Sequence, residues 1–256
     1  MPNKAYLFGP FFGELSWEYF RFAPYMIHLK KTEPNIKMVV MTRPERFDLY
    51  GQYADILVPL NIQNDDMYKQ QAFKMLGYDL TTCQRYSDIF RIRYKKKYSV
   101  VGHFVPDFSS LRYKVKWQFP RQKMDYDFTP RQANMKSINN MFKSQKLVIT
   151  DEGYSYKTEK YNVVNIEDFK QWIGPTIDNK RITYCGCLIH FIKKSNFVIS
   201  NLKSDVGKLA ILLGIPMIYP YRTLTYDQVS LLNPLNTPII DCESILEGVE
   251  IYENNF

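Results

Sequence analysis

Cysteine, glycine and long apolar runs are all scarce in this chain. Its 256 residues hold four Cys, too few for a disulfide framework, so the expected compartment is a reducing cytoplasm, the host's if the source is viral. Gly 11 and Pro 14 exclude collagen-like and low-complexity classes. No apolar run reaches the roughly 18 residues that a membrane-spanning helix needs. The opening MPNKAYLFGPFFGELSWEYF is interrupted by Pro10 and Glu14 and carries no small-residue cleavage site, so it does not read as a signal peptide. There is no Walker-type phosphate loop and no G-x-G-x-x-G fingerprint, which argues against P-loop kinases and nicotinamide enzymes. Cys185-Gly186-Cys187 with His190 lacks the usual zinc spacing, and Cys83 and Cys242 lie far away. No metal is therefore expected. No Asp-x-Asp pair stands at a strand end, since Asp65-Asp66 falls in a polar loop.

What is present is an ordinary folded composition, 45% hydrophobic and 23% charged, with an aromatic share of 16%. Abundant Lys, Asn, Ile and Tyr suit an A/T-rich genome, viral or bacterial. The net charge of +8 is local. Between Arg85 and Arg131 stand twelve basic residues against four acids (Asp88, Asp107, Asp125, Asp127), which accounts for the whole excess. Lys95, Lys96, Lys97, Arg112, Lys114 and Lys116 belong to this stretch, and Tyr86, Phe90, Tyr94, Tyr98, Trp117 and Phe119 are among the rings between the charges. Cations with interleaved rings suit a polyanion, because charges pair with phosphates and rings stack on bases. The alternative is a solvated basic face with rings packed inward. RIRYKKKYSVV and LRYKVKWQF both alternate as half-buried strands do.

Apolar periodicity places strands at 5–8, 37–42, 54–60 and 98–105, with helices at 14–31, 44–50 and 66–78 between them. Pro24 should kink the first helix. This alternation belongs to a parallel sheet covered by helices. Residues 106–130 carry Pro106, Pro120 and Pro130 and little helical period, which suits a domain junction. The pattern then restarts: helix 131–144, strand 146–150, strand 161–165, helices 166–173 and 185–195, strand 197–200, helix 204–213, strand 216–219. The expected fold class is α/β, with two Rossmann-like halves facing across a cleft, residues 1–115 and 116–256.

The segment FVISNLKSDVGKLAILLGIPMIYPY, residues 197–221, is the most informative. An apolar strand ends at Ser200-Asn201, Ser204 or Asp205 can cap the next helix, and Gly214 can end it. Ligands of open α/β sheets sit beyond the carboxyl ends of the strands, where helix starts bind phosphate. Ordinary strand-loop-helix punctuation would read the same way. The segment resembles the donor-binding segment of GT-B glycosyltransferases, the heptosyltransferase-like group above all: Ile199-Ser200-Asn201, Ser204-Asp205-Val206-Gly207, Leu209-Ala210 and Leu213-Gly214-Ile215-Pro216-Met217-Ile218 correspond. Lys208 stands where that group often has a His. The opening Gly9-Pro10-Phe11-Phe12-Gly13-Glu14-Leu15-Ser16-Trp17-Glu18 is similar to the GPxxGExxWE start of bacterial and phage glycosyltransferase-like proteins.

The resemblance implies a metal-independent glycosyltransferase with a nucleotide-sugar co-substrate and no further cofactor. It implies donor contacts from Asn201, Ser204, Asp205, Lys208 and Arg222, with Lys203 as a further cation near the diphosphate. Sugar transfer to a hydroxyl benefits from a base that takes the acceptor proton. Glu14 is the candidate, Glu18 one turn on is the reserve, and a helix cap is the other role open to Glu14. Gly13, His103, Trp117 and the basic stretch would meet the acceptor. That stretch favours DNA with a hydroxymethylated base, as in phage DNA, read by base flipping. The alternatives are a cell-surface polysaccharide or lipid-linked glycan, with the basic face on anionic headgroups, and a non-catalytic nucleic-acid-binding module.

Overall fold

A computed structural model describes residues 3–12, 15–60, 80–105, 123–128, 146–166, 184–221 and 233–256. Contacts divide the chain into two compact units, Met1–Thr129 and Pro130–Phe256. Both are α/β units built on a parallel sheet, the class that the alternation implies.

The first unit holds a four-stranded sheet in the order β3-β2-β1-β4, formed by β1 Lys4–Phe8, β2 Lys37–Thr42, β3 Ile56–Pro59 and β4 Ser99–Phe104. All neighbours run parallel. The near-continuous apolar run of β2, KMVVMT, is what a strand covered on both faces requires. Between β1 and β2 the chain forms α1 Leu15–Trp17, a π-helical stretch Glu18–Phe22 and α2 Ala23–Thr32. The expected kink at Pro24 takes this form: Pro24 sits in the first turn of α2, where its missing N–H costs little. The Phe20 carbonyl it cannot bond accepts the Tyr126 hydroxyl instead, at 3.4 Å. A 3-10 turn, Pro44–Leu49, follows β2.

Two sequence expectations need correction here. RIRYKKKYSVV is not one strand: α3 runs Leu80–Lys95 and β4 begins only at Ser99. Cys83, Ser87, Phe90 and Tyr94 are buried at i, i+4, i+7 and i+11, one helical stripe. Ile89 and Ile92 stay exposed between the charges and imitate period two. The domain boundary also moves, from after residue 115 to between Thr129 and Pro130. Residues 123–128 are held by the first unit: Asp125 N–H bonds the Pro24 carbonyl at 3.1 Å, and Lys31 pairs with Asp125 and Asp127 at 2.8 and 3.1 Å. The Tyr53 hydroxyl bonds Asp127, and Phe128 is fully buried.

The second unit has a five-stranded sheet, β6-β5-β7-β8-β9, made of β5 Leu147–Thr150, β6 Asn162–Asn165, β7 Ser195–Ile199, β8 Met217–Tyr219 and β9 Ile239–Asp241. Its helices are α4 Tyr184–Lys194, α5 Asp205–Leu212 and α6 Ile245–Asn255. The core joins Val148, Phe197, Ile199 and Ile218 to Tyr161 and Val249. Strand β9 and helix α6 go beyond the sequence reading. The signal for α6 was Ser244-Ile245-Leu246-Glu247, a capping-box sequence: Ser244 Oγ accepts the Glu247 N–H at 3.2 Å, and Glu247 reaches one residue further back, accepting the Glu243 N–H at 2.8 Å. Helix 66–78, the LRYKVKWQF strand and helix 131–144 lie outside the described residues, as does nearly all of helix 166–173. Among the described residues no helix is long and apolar enough to cross a membrane.

Candidate functional site

Each sheet reverses its direction of growth once. In the second unit the chain leaves β5 for β6 on one side and returns to β7 on the other. Such a switch point opens a crevice at the carboxyl ends of the two strands, where open α/β sheets bind ligands. Asp151 follows β5 there, and Ser200 and Asn201 follow β7. Ser200, fully buried, donates its hydroxyl to Asp151 at 2.7 Å, and Asp151 also accepts the Glu152 N–H at 2.8 Å. Asn165 donates its amide to Thr150 Oγ1 at 3.1 Å and to the Tyr154 carbonyl at 3.3 Å, which holds the turn after β5. The sequence reading missed Asp151 and Asn165, because they mark a site only once β5 and β7 are neighbours.

The loop after β7 is built by its own polar side chains. Asn201 Oδ1 accepts the N–H groups of Lys203 and Ser204 at 2.8 and 3.0 Å. Ser204 is the N-cap of α5 and accepts the Val206 N–H at 3.0 Å. Asp205 occupies the first turn, where a carboxylate favours the helix dipole. Lys208 is half-buried and Lys203 exposed. The helix ends as anticipated at Gly214, with φ of 73°. Ile215 N–H reaches the Ala210 carbonyl at 3.0 Å and Gly214 N–H the Ile211 carbonyl at 3.3 Å, a Schellman closure. Ser204→Ala should cost about 1 kcal/mol, the usual loss for such a cap, in urea unfolding of the second unit; an unchanged midpoint would show that the cap contributes nothing.

Three rings border the same edge. Tyr221, 53% exposed, meets Tyr154 at 5.9 Å and Tyr219 at 5.4 Å between centroids. The buried Tyr154 phenol lies beside Tyr221 and Asn201; burial first, then Tyr221, raises its pKa above that of an ordinary tyrosine. The edge thus offers an exposed aromatic face beside a capped helix start. Arg222, the next residue, lies outside the described ones.

In the first unit the switch point falls between β1 and β4. Gly9, with φ of 96°, gives its N–H to the Phe104 carbonyl at 2.8 Å. A Cβ there would stand 2.2 Å from the Met41 carbonyl oxygen, so only glycine fits. His103 was expected to face the acceptor. Instead its half-buried ring bonds the Gly9 carbonyl at 2.8 Å through Nε2, and burial lowers its pKa. Its place is in holding the loop after β1. Gly13 and Glu14 lie outside the described residues.

Glu18 needs a similar correction. It is 0% exposed. Its carboxylate accepts Thr42 Oγ1 at 2.5 Å, Arg46 at 2.7 Å and the Tyr50 hydroxyl at 2.5 Å. Three donors on two buried oxygens tie the π-helical stretch to the end of β2 and to the 3-10 turn. That geometry anchors; it does not present a base to an acceptor. Of the basic stretch, Lys95, Lys96 and Lys97 are exposed at the end of α3. Phe90 and Tyr94 are core, so these rings do not stack on bases. Arg112, Lys114, Lys116 and Trp117 lie outside the described residues. Cys185 and Cys187 are buried in α4, and burial, with Lys194 adding to it, pushes His190 down to about 4.

No protein-family model and no curated protein matches the chain. Solved structures do. The E. coli ADP-heptose LPS heptosyltransferase II matches with a TM-score of 0.52 at 9% identity, over 98% of each chain. The fold is GT-B-like. A family 9 glycosyl transferase from Veillonella parvula matches at 0.45 and 10% identity, over 99% of this chain and 88% of that one. E. coli heptosyltransferase WaaC with ADP matches at 0.46 and 9% identity, over 98% of both. In a GT-B-like fold two α/β units follow one another along the chain, as the strand orders here do. The likeness is one of fold.

Proposed function

We propose that this chain is a glycosyltransferase that takes a nucleotide-sugar donor at the carboxyl edge of the second sheet. The carrying observation is the β5/β7 switch point, where the Asn201–Ser204 loop, the capped start of α5 and the exposed Tyr221 ring come together. The whole-chain fold shared with an ADP-heptose heptosyltransferase supports it. The loop and helix start would receive the diphosphate, with Lys203, Lys208 and Arg222 as the cations that stabilise the leaving nucleotide. Tyr221 would stack on the base. Glu14, next to the loop after β1, remains the proposed acceptor base, and the reaction requires no metal ion.

For the acceptor, a hydroxyl of a surface saccharide or lipid-linked glycan fits better than a DNA base. The DNA reading rested on cations with rings between them, and in α3 two of those rings, Phe90 and Tyr94, are core. The heptosyltransferase that shares the fold is an LPS heptosyltransferase.

A thermal-shift screen of ADP-, UDP- and GDP-sugars tests the reading. A donor present at 100 times its Kd should stabilise by about 2.7 kcal/mol. Tyr221→Ala should remove most of that shift while leaving the unliganded melting temperature within about a degree or two, as expected for an exposed side chain. If no nucleotide sugar shifts the wild type, the proposal falls.

A further inference from the structure

Helix α3 is firmly attached on one side and unusual on the other. Phe90 and Tyr94 pack with Ala5, Leu7, Val39 and Val58, so the helix is part of the first unit's core. Its outer face carries two isoleucines, Ile89 and Ile92, each 54% exposed. Three apart on a helix, they are surface neighbours. Arg85 stands one turn before Ile89, Arg93 one turn after it, and Lys96 one turn beyond Ile92, on the turn that follows the helix. From Leu80 to Lys97 the chain holds six basic residues (Arg85, Arg91, Arg93, Lys95, Lys96, Lys97) and one acid, Asp88, which Arg91 pairs at 3.2 Å. The result is a small apolar centre bordered by cations, with the paired Asp88, one turn before Ile92, as the one acid beside it, on a helix about 24 Å long at 1.5 Å per residue.

The geometry points to this face as a docking surface for an anionic lipid bilayer. An interfacial helix buries apolar side chains at the headgroup boundary and keeps Lys and Arg at headgroup level, where anionic lipids attract them. Long basic side chains reach the phosphates while their stems cover the apolar centre. The charge argues against a second copy of this chain, which would bring like cations together. The isoleucines argue against nucleic acid, whose phosphates offer them nothing to bury against. The surface stands apart from the proposed transfer reaction, since it needs neither donor nor acceptor.

Sedimentation with vesicles is the test. The full chain should bind vesicles containing phosphatidylglycerol, bind pure phosphatidylcholine at least tenfold more weakly, and lose affinity as salt rises. Ile89→Ser combined with Ile92→Ser keeps every charge and should weaken binding about tenfold. Arg85→Gln, Arg93→Gln and Lys96→Gln together should weaken it further and flatten the salt dependence. Ile92→Trp gives a second reading: the emission it adds to that of the three native tryptophans, taken as the difference from the wild type, should shift to the blue with anionic vesicles and stay put with neutral ones. Isoleucine variants that bind like the wild type, an Ile92→Trp emission indifferent to vesicles, or DNA that displaces the vesicles and binds the isoleucine variants equally well would each overturn the lipid surface.

Discussion

Arg46→Ala should destabilise the first unit by about 3–5 kcal/mol, the range for breaking one side of a buried ion pair. Arg46 is 1% exposed and Glu18 0%. Removing the guanidinium leaves the Glu18 carboxylate buried with the two hydroxyl donors but without the arginine paired to it. The same carboxylate joins the π-helical stretch, β2 and the 3-10 turn, so its loss of balance reaches three elements. Urea unfolding should show the transition of Met1–Thr129 moving to lower denaturant while that of Pro130–Phe256 holds its position, because each unit has its own core. Replacing both partners, Glu18→Leu with Arg46→Met, should recover part of the loss, since the apolar pair removes the stranded charge but leaves the Thr42 and Tyr50 hydroxyls without their acceptor. A cost below about 1 kcal/mol for Arg46→Ala would mean that water reaches the carboxylate, and the anchoring role would go with it.

Gly207→Ala is the second large effect expected, and its sign is the informative part. Within a helix, alanine for glycine ordinarily stabilises by about 1 kcal/mol. At Gly207 a Cβ would stand 2.3 Å from the Asn201 carbonyl oxygen and 3.0 Å from both Met217 Sδ and Ser200 Oγ. The closest of these is backbone and cannot rotate away. Helix α5 must therefore move off the loop after β7, at a cost of about 1–3 kcal/mol, the usual range for overpacking. That loop carries Asn201 and Ser204, so nucleotide-sugar binding should fall as well. Both are read from one thermal-shift titration. A variant more stable than the wild type, with donor binding intact, would show that the close packing of α5 on the loop is not needed.

How far the site was legible before folding differs between the two units. Residues 197–221 are a local unit: strand, Asx turn, Ser204 cap and Gly214 closure are all set by neighbours within a few positions. Their chemistry could be read directly, down to the cap. Tyr221 was inside the same segment, yet nothing in the sequence marks its ring as exposed. Asp151 lies far from Ser200 in the chain and meets it only because β5 and β7 pair. Glu18 shows the converse error. Its place beside Glu14 in a motif-like opening suggested chemistry, whereas its partners, Thr42, Arg46 and Tyr50, assign it to the core.

Alternation of apolar runs determined that this is an α/β chain with two successive parallel-sheet units, because a strand covered on both faces must be apolar throughout and the helices between must show one apolar side. Local turn chemistry determined where α5 starts and stops. Only the tertiary structure decided which side of α3 is core, since its exposed isoleucines give the segment the period of a strand. It also decided that residues 123–128 belong to the first unit, through the Lys31 ion pairs and the Pro24 carbonyl, and that Glu18 and His103 are structural. Each of these depends on partners brought together from distant positions, and no local pattern encodes a contact whose other half is 24 or 94 residues away.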